Sequence, residues 1–183
     1  STFDCIQAPC MTTCPVSQDI PGYMYHAARG EYEEAFRVIM ESNPFPNIQG
    51  MVCDHLCQEK CTRLNYDTPL LIREIKRVVA RKFDRPIGLK PAPANGIKVA
   101  IIGAGPSGLA CAHFLALSGF EVQIYEKKAF AGGWASDAIP EFRLDEASIK
   151  KDIDAILSLG VEINYGVGID AAKFESLRQS HDY

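Results

Sequence analysis

Six of the chain's seven cysteines fall into two tight groups, Cys5, Cys10 and Cys14, then Cys53, Cys57 and Cys61. Thiolates gathered this closely, with no secretory segment before them, point to metal ligation rather than a disulfide framework. Zinc and iron-sulfur clusters both accept such donors. The spacings are not the C-x2-C knuckles of common zinc folds, and Cys14-Pro15 matches the cysteine-proline step of ferredoxin runs. A second reactive-looking stretch is Val99 to Leu109, an apolar β-branched run broken by Gly103, Gly105 and Gly108 and followed by a helical pattern. It reads as strand, tight turn and helix. In a dinucleotide-binding unit Gly103 permits the turn, Gly105 admits a pyrophosphate to bare backbone and Gly108 allows close helix-strand packing. The free N–H groups of the helix start then face the phosphates, with Pro106 near the first helical position.

Three further stretches stand in register with that turn. Glu126 closes the next apolar run at about the 20-residue offset expected of the acid that binds a ribose hydroxyl. Its alternative is a solvated strand-end carboxylate. Gly132-Gly133-Trp134 offers a place where backbone can approach a cofactor closely, or else an ordinary turn. Arg143, in Ile139-Pro140-Glu141-Phe142-Arg143-Leu144, places a guanidinium where it could meet a phosphate or a flavin edge; alone it reads as a surface arginine.

Together these stretches resemble the FAD-binding half of the glutamate synthase small subunit and the N-terminal part of dihydropyrimidine dehydrogenase. The two cysteine groups and the helix after Pro69 are similar to that family's N-terminal iron-sulfur domain, so the resemblance covers nearly the whole chain. Within it, Cys53-Asp54-His55 and Cys61-Thr62-Arg63-Leu64 are most similar to large bacterial iron-sulfur flavoproteins labelled selenate reductase subunits. The resemblance implies an α-helical iron-sulfur (ferredoxin-like α-helical) domain followed by a truncated α/β Rossmann-type FAD-binding domain. It implies FAD contacts at Gly103, Ala104, Gly105, Pro106, Ser107 and Gly108, at Glu126 and Lys127, at Gly133, Trp134 and Arg143, and at Ile169 against the adenine. It implies 4Fe-4S clusters held by Cys5, Cys10 and Cys61 in one set and Cys14, Cys53 and Cys57 in the other. Each set would have three thiolates. Thr2 stands where the family has its first cysteine, and Lys76 where a Gln or Glu completes the second cluster; water, His55 or a missing segment could fill the gap. The implied activity is electron transfer from NAD(P)H, bound by a missing C-terminal domain, through FAD and the clusters to a catalytic partner subunit or domain. The chain opens on Ser1 and stops at Tyr183, where the family's next strand would begin, so a cut piece without turnover of its own is expected.

The elements that must position these residues follow from pattern. Helices are expected over 21–28 and 31–41 and, with Thr68 as cap and Pro69 at the first position, over 69–83, with an apolar stripe of Ile72, Ile75, Val79 and Phe83. At about 100° per residue, Lys76 lies about 40° from Ile72, at the edge of the buried stripe. On a helix Cys53, Cys57 and Cys61 would line one face. Residues 1–85 form the expected cluster domain, 86–95 a Pro-rich linker and 96–183 the nucleotide-binding domain. There, strands are expected over 96–102, 121–125 and 161–164, with helices from Pro106 to Leu117 and after the caps Asp145 and Asp170. Cys111 reads as a small buried packing residue, His55 as a bystander, and His26, His113 and His181 as lacking identifiable partners. No Ser/His/Asp constellation is visible, so cofactors would carry any chemistry.

Composition is that of an ordinary globular protein, 47% hydrophobic and 23% charged, and a net charge of -4 argues against nucleic acid. No run reaches the roughly 18 apolar residues a spanning helix needs and no signal peptide opens the chain, so a cytoplasmic, membrane-free protein is expected. The competing readings are a zinc-held interaction module and a fragment of an NAD-binding dehydrogenase.

Overall fold

The computed structural model describes residues 7–83 and 89–183. Cys5 and Thr2 lie outside the described residues, as does the start of the expected linker. The chain forms two compact units, 1–85 and 86–183.

The first unit is helical: α1 (Pro9–Thr13), α2 (Ile20–Ala28), α3 (Tyr32–Met40), α4 (Pro46–Val52), α5 (Leu56–Glu59), a 3-10 turn (Thr62–Asn65) and α6 (Ile72–Lys82). Asp19 caps α2, its carboxylate accepting from the Gly22 N–H at 2.9 Å. Ile20, Tyr23, Ala35, Phe36, Ile39, Met40, Ile72, Val79 and Phe83 form the core, and the Phe36 and Phe83 rings lie 5.2 Å apart. These apolar positions recur at three and four residues, so packing rather than intrinsic propensity holds such short helices.

Two expectations here are corrected. α6 starts at Ile72 rather than Pro69: Thr68, the expected cap, is held in the preceding turn, its N–H donating at 2.7 Å to Asp67, which also accepts from Arg63 at 2.8 and 2.9 Å, and Leu71 takes the N-cap position without a side-chain bond. Cys53, Cys57 and Cys61 do not share a helix. Cys53 ends α4 in an extended conformation, His55 turns the chain with φ of 49°, and Cys61 precedes the 3-10 turn. A positive φ is incompatible with a continuous right-handed helix.

The second unit is α/β: β1 (Lys98–Ile102), α7 (Pro106–Leu117), β2 (Glu121–Glu126), α8 (Trp134–Asp137), α9 (Glu146–Leu157), β3 (Glu162–Tyr165) and α10 (Ala171–Ser180). The strands are parallel in the order β1-β2-β3, with Val99 beside Val122, Ile101 beside Ile124 and Ile124 beside Ile163. Parallel neighbours require crossover connections, here α7 and α9. Leu109, Ala112 and Ala116 of α7, Ile149, Ile153 and Ile156 of α9, and Val99, Val122 and Ile124 of the sheet are buried. Asp145 and Asp170 cap α9 and α10 through the Ser148 and Lys173 N–H groups at 2.8 and 2.7 Å. Residues 182 and 183 extend the sheet along the free edge of β1. The Lys98 carbonyl accepts from both N–H groups, and the Tyr183 carbonyl accepts from Ala100 at 2.8 Å. Cys111 is exposed, a further correction. The buried stripe of α7 runs through Leu109, Ala112, His113 and Ala116, which leaves position 111 on the opposite face. Among the described residues no helix is long and apolar enough to cross a membrane.

Candidate functional site

The glycine turn joins β1 to α7. Gly103 has φ of 97°, a conformation other residues rarely adopt, so the chain can leave the strand abruptly. Gly105 is extended and stands as the N-cap of α7, with Pro106 following at the first position. The Leu109 N–H donates to the Gly105 carbonyl at 2.9 Å, and the N–H groups before it belong to the turn of helix that lacks internal acceptors. A Cβ at Gly103 would meet nothing within 4 Å, and one at Gly105 only the Gly133 Cα at 4.0 Å. The outer surface of the turn is therefore open backbone. At Gly108 a Cβ would overlap the Gly103 carbonyl oxygen, so this glycine serves the packing of helix on turn.

Glu126 at the end of β2 is buried and does more than close a strand. One carboxylate oxygen accepts from the Ala104 N–H at 2.8 Å and the other from the Lys128 N–H at 2.9 Å, tying the strand end to the glycine turn. A carboxylate offers about four acceptor sites, so capacity remains. The Gly132–Gly133 pair packs backbone to backbone on the turn. Gly132 donates to the Ala104 carbonyl at 2.8 Å, and a Cβ on Gly133 would come within 2.9 Å of the Gly105 Cα. The pair leads into the short α8, which lies outside the sequence expectation because four residues carry no period. Trp134 is 80% exposed and Phe142 91% exposed, while Ser107, Lys127 and Arg143 are exposed and Ile169 is half-buried. A separate cleft of about 550 Å³ lies along α9, lined by Phe130, Ala135, Leu144, Ile149, Ile153 and Tyr165 among others. None of the glycine-turn residues lines it.

In the helical unit four thiols act electrostatically on one side chain. Tyr23 is buried, its hydroxyl donates to the Ile72 carbonyl at 3.1 Å, and Cys57, Cys10, Cys14 and Cys53 all lie within electrostatic reach of it. Burial first, and those sulfurs second, push its phenol pKa upward. Cys10 lies within electrostatic reach of Cys61, and Cys57 within reach of Cys53, Cys14 and Cys10. Burial, reinforced by Cys53 and Cys14, pushes the Cys57 thiol up to about 11 despite the opposing charge of Lys76. The His55 N–H donates to the Cys53 sulfur at 3.4 Å, and Arg73 donates to the Cys53 carbonyl at 3.1 Å while pairing with Glu74 at 2.7 Å. No sequence signal marks Tyr23 or Arg73 as neighbours of the thiols; both read as ordinary helix residues. Among the described residues no three His, Cys, Asp or Glu side chains converge closely enough to hold a single metal ion.

Comparison with known proteins follows the same division. Residues 2–86 match the family described as dihydropyrimidine dehydrogenase domain II, 4Fe-4S cluster. The helical unit therefore resembles this iron-sulfur family. Residues 101–150 match the NAD(P)-binding Rossmann-like domain. YgfK of Escherichia coli O157:H7, named as an oxidoreductase, is 41% identical over 98% of this chain and 18% of its own length. The NADPH-Fe(3+) oxidoreductase subunit beta of Geobacter sulfurreducens is 37% identical over 98% of this chain and 28% of its own. The NAD-dependent dihydropyrimidine dehydrogenase subunit PreT of Escherichia coli K12 is 36% identical over 87% of this chain and 40% of its own. The chain thus spans well under half the length of these relatives. The helical unit thus matches a family described by its 4Fe-4S cluster, and the region of the glycine turn matches one described as NAD(P)-binding.

Proposed function

We propose that this chain is the electron-transfer module of an NAD(P)H-dependent iron-sulfur flavoprotein oxidoreductase. In this reading the glycine turn takes FAD and the thiols hold two 4Fe-4S clusters. Bound FAD would accept hydride from NAD(P)H and release single electrons to the clusters and thence to a partner subunit or domain. The observation that carries the reading is a helical unit in which Cys10, Cys14, Cys53 and Cys57 all lie within electrostatic reach of the buried Tyr23, followed by an open glycine turn.

The residues present suit these groups. Thiols are the donors that iron-sulfur clusters use, and the buried setting of Cys57 and Cys61 keeps water away from them. The His55 N–H directed at the Cys53 sulfur would lower the electron density on a bound thiolate. Cys10 and Cys61, with Cys5, would serve one cluster, and Cys14, Cys53 and Cys57 the other. In the second unit, the backbone of Gly103 to Gly108 and the N–H groups at the start of α7 would receive the pyrophosphate. Glu126 would accept from the ribose hydroxyls while its bonds to Ala104 and Lys128 hold the turn in shape. Lys127, Gly133, Trp134, Arg143 and Ile169 would complete the contacts.

The test is anaerobic reconstitution of the chain, with iron and sulfide counted and FAD titrated against the fluorescence of Trp134, its sole tryptophan. About eight irons per chain, two clusters of four, and quenching of Trp134 by FAD are expected. Zinc uptake without iron would replace the reading with that of a zinc-held interaction module. The module should not oxidise NAD(P)H by itself, because nicotinamide binding is assigned to another part of the protein; NAD(P)H-dependent dye reduction by the chain would refute that assignment.

A further inference from the structure

The second group of thiols is fastened to the start of α6 by two hydrogen bonds that run in opposite directions. Arg73, in the first turn of α6, sends its guanidinium to the Cys53 carbonyl at 3.1 Å and to the Glu74 carboxylate at 2.7 and 3.1 Å. Its backbone N–H, one of the donors a helix start leaves without an internal acceptor, donates at 3.2 Å to the side-chain oxygen of Gln58. Leu71 at the N-cap offers no side-chain bond, so α6 takes this cap from α5, at the residue beside Cys57. Between the two anchor points the backbone is strained. His55 has φ of 49°, a left-handed conformation that a residue other than glycine keeps only where its surroundings hold it there. In that conformation its N–H meets the Cys53 sulfur at 3.4 Å and its carbonyl accepts from the Gln58 N–H at 2.8 Å. The Arg73 side chain is 17% exposed, whereas Arg29, Arg37, Arg63 and Arg178 make their ion pairs at the surface. Bonds to a charged donor so shielded from water are among the stronger ones in a protein.

We propose that Arg73 and Gln58 are positioning residues: together they latch residues 53–58 to α6, so that the Cys53 and Cys57 thiols are held in one arrangement before iron arrives. The inference rests on the cluster reading given above. Arg73 is no ligand, since a guanidinium has five donors and no lone pair to give; it acts through the backbone of Cys53. Residues that orient metal donors from behind in this way contribute to affinity although they never touch the metal. The latch depends on the shape of the guanidinium, which serves a carbonyl and a carboxylate from one rigid plane. A lysine ammonium brings the same charge without that fork.

The experiment uses the 183-residue chain with Arg73→Met, which removes the fork, Arg73→Lys, which keeps its charge, Gln58→Met, which removes the acceptor, and Gln58→Glu, which keeps one. Amide hydrogen exchange of the metal-free chains is followed by mass spectrometry, with α2 and α3 as internal reference. Iron and sulfide are counted after anaerobic reconstitution, the clusters are observed by EPR, and iron is competed with a chelator. In Arg73→Met, Arg73→Lys and Gln58→Met the amides of residues 55–61 should exchange roughly tenfold faster or more, while those of α2 and α3 keep wild-type rates. One cluster should hold its iron about 10- to 100-fold less tightly and show an altered EPR signal, with the other unmoved. Gln58→Glu should keep the wild-type exchange, iron content and signal. Arg73→Met also strips Glu74 of its partner, so if that variant loses the whole helical unit the Gln58 pair decides. Exchange that quickens equally in α2 and α3 in Gln58→Met, full restoration by Arg73→Lys, or failure of Gln58→Glu to keep what Gln58→Met loses overturns the latch. A wild type that takes up no iron overturns the cluster reading and this inference together; a loaded wild type with indifferent variants overturns this inference alone.

Discussion

Gly105 and Gly108 are three residues apart and are predicted to fail in opposite ways. At Gly105 φ is -78° and ψ 176°, which alanine adopts freely, and its Cβ would touch only the Gly133 Cα, at 4.0 Å. Gly105→Ala narrows the unfolded ensemble, a gain of about 0.4–1 kcal/mol. Alanine is also a poorer N-cap than glycine, a loss of up to about 1 kcal/mol. The two nearly cancel, so stability should stay within about 1 kcal/mol of the wild type. The methyl group nevertheless stands on the open backbone where the pyrophosphate is proposed to lie. Losing one charge-assisted hydrogen bond there costs about 1.5–3 kcal/mol, or roughly 10- to 150-fold in FAD affinity.

Gly108→Ala reverses the balance. Its Cβ would overlap the Gly103 carbonyl oxygen and approach the Ile101 Cγ2 to 3.2 Å. Overpacking of this kind costs about 1–3 kcal/mol, against at most about 1 kcal/mol returned by alanine's helix propensity. Each net kcal/mol should lower the melting temperature of a unit this size by about 4–8 °C. FAD titration by Trp134 quenching and thermal melts followed by circular dichroism check both variants. Wild-type FAD affinity in Gly105→Ala would refute the glycine turn as the site. Equal destabilisation by the two substitutions would refute the steric reasoning.

His113 is fully buried with neither ring nitrogen hydrogen-bonded, and burial holds its pKa down to about 4. The unfolded chain takes up a proton near pH 6.5 that the folded chain refuses, so stability is complete above that pH and falls as pH drops toward 4. The loss is on the order of 3 kcal/mol; His113→Phe should flatten the slope, and hydrogen exchange of α7 between pH 4 and 7 will show whether it does. In the metal-free chain at pH 8 the exposed Cys111 should be alkylated first and Cys57, whose thiol is pushed up to about 11, far more slowly. Mass spectrometry of timed iodoacetamide labelling checks the order, and equal rates would contradict the burial of Cys57. Glu126→Ala leaves the buried Ala104 N–H without its acceptor, so about 1–3 kcal/mol of stability should be lost even without FAD. A mutant as stable as the wild type would show that the carboxylate does not anchor the turn.

How far these features were legible in the sequence depends on whether their causes are local. The bounds of α7, Pro106 and Leu117, follow from Gly105-Pro106 before it and Ser118-Gly119 after it, and they appear in the structure unchanged. Asp145 and Asp170 cap as read, since a cap needs only the N–H three residues on. The start of α6 misleads because Thr68, read as its cap, sits in the turn that Asp67 closes with Arg63, and Leu71 takes the N-cap position without a side-chain bond. The exposure of Cys111 is legible from the period of α7, which sets it opposite the buried Leu109 and His113. His26 finds Glu31 at 2.8 Å across the turn after α2, a partner only five residues away that chain order hides until the turn is formed.

The two candidate sites divide along the same line. A glycine turn is contiguous, and its steric demands are written in consecutive residues. The thiol array is not: Cys10 comes within electrostatic reach of Cys61, and Cys57 of Cys14, because α1 and α5 pack together. Spacing could nominate the donors but not say which would face which. The burial of Lys76 is legible in the helical period, at the edge of the apolar stripe of α6. Glu126 carries the same lesson in the other unit. Its position at the strand end was readable, but its bond to Ala104 arises only when β2 lies beside β1 and brings the carboxylate under the turn. A residue proposed to bind ribose is therefore also part of what shapes the turn, and its two roles can be separated only by measuring stability and affinity on the same variant.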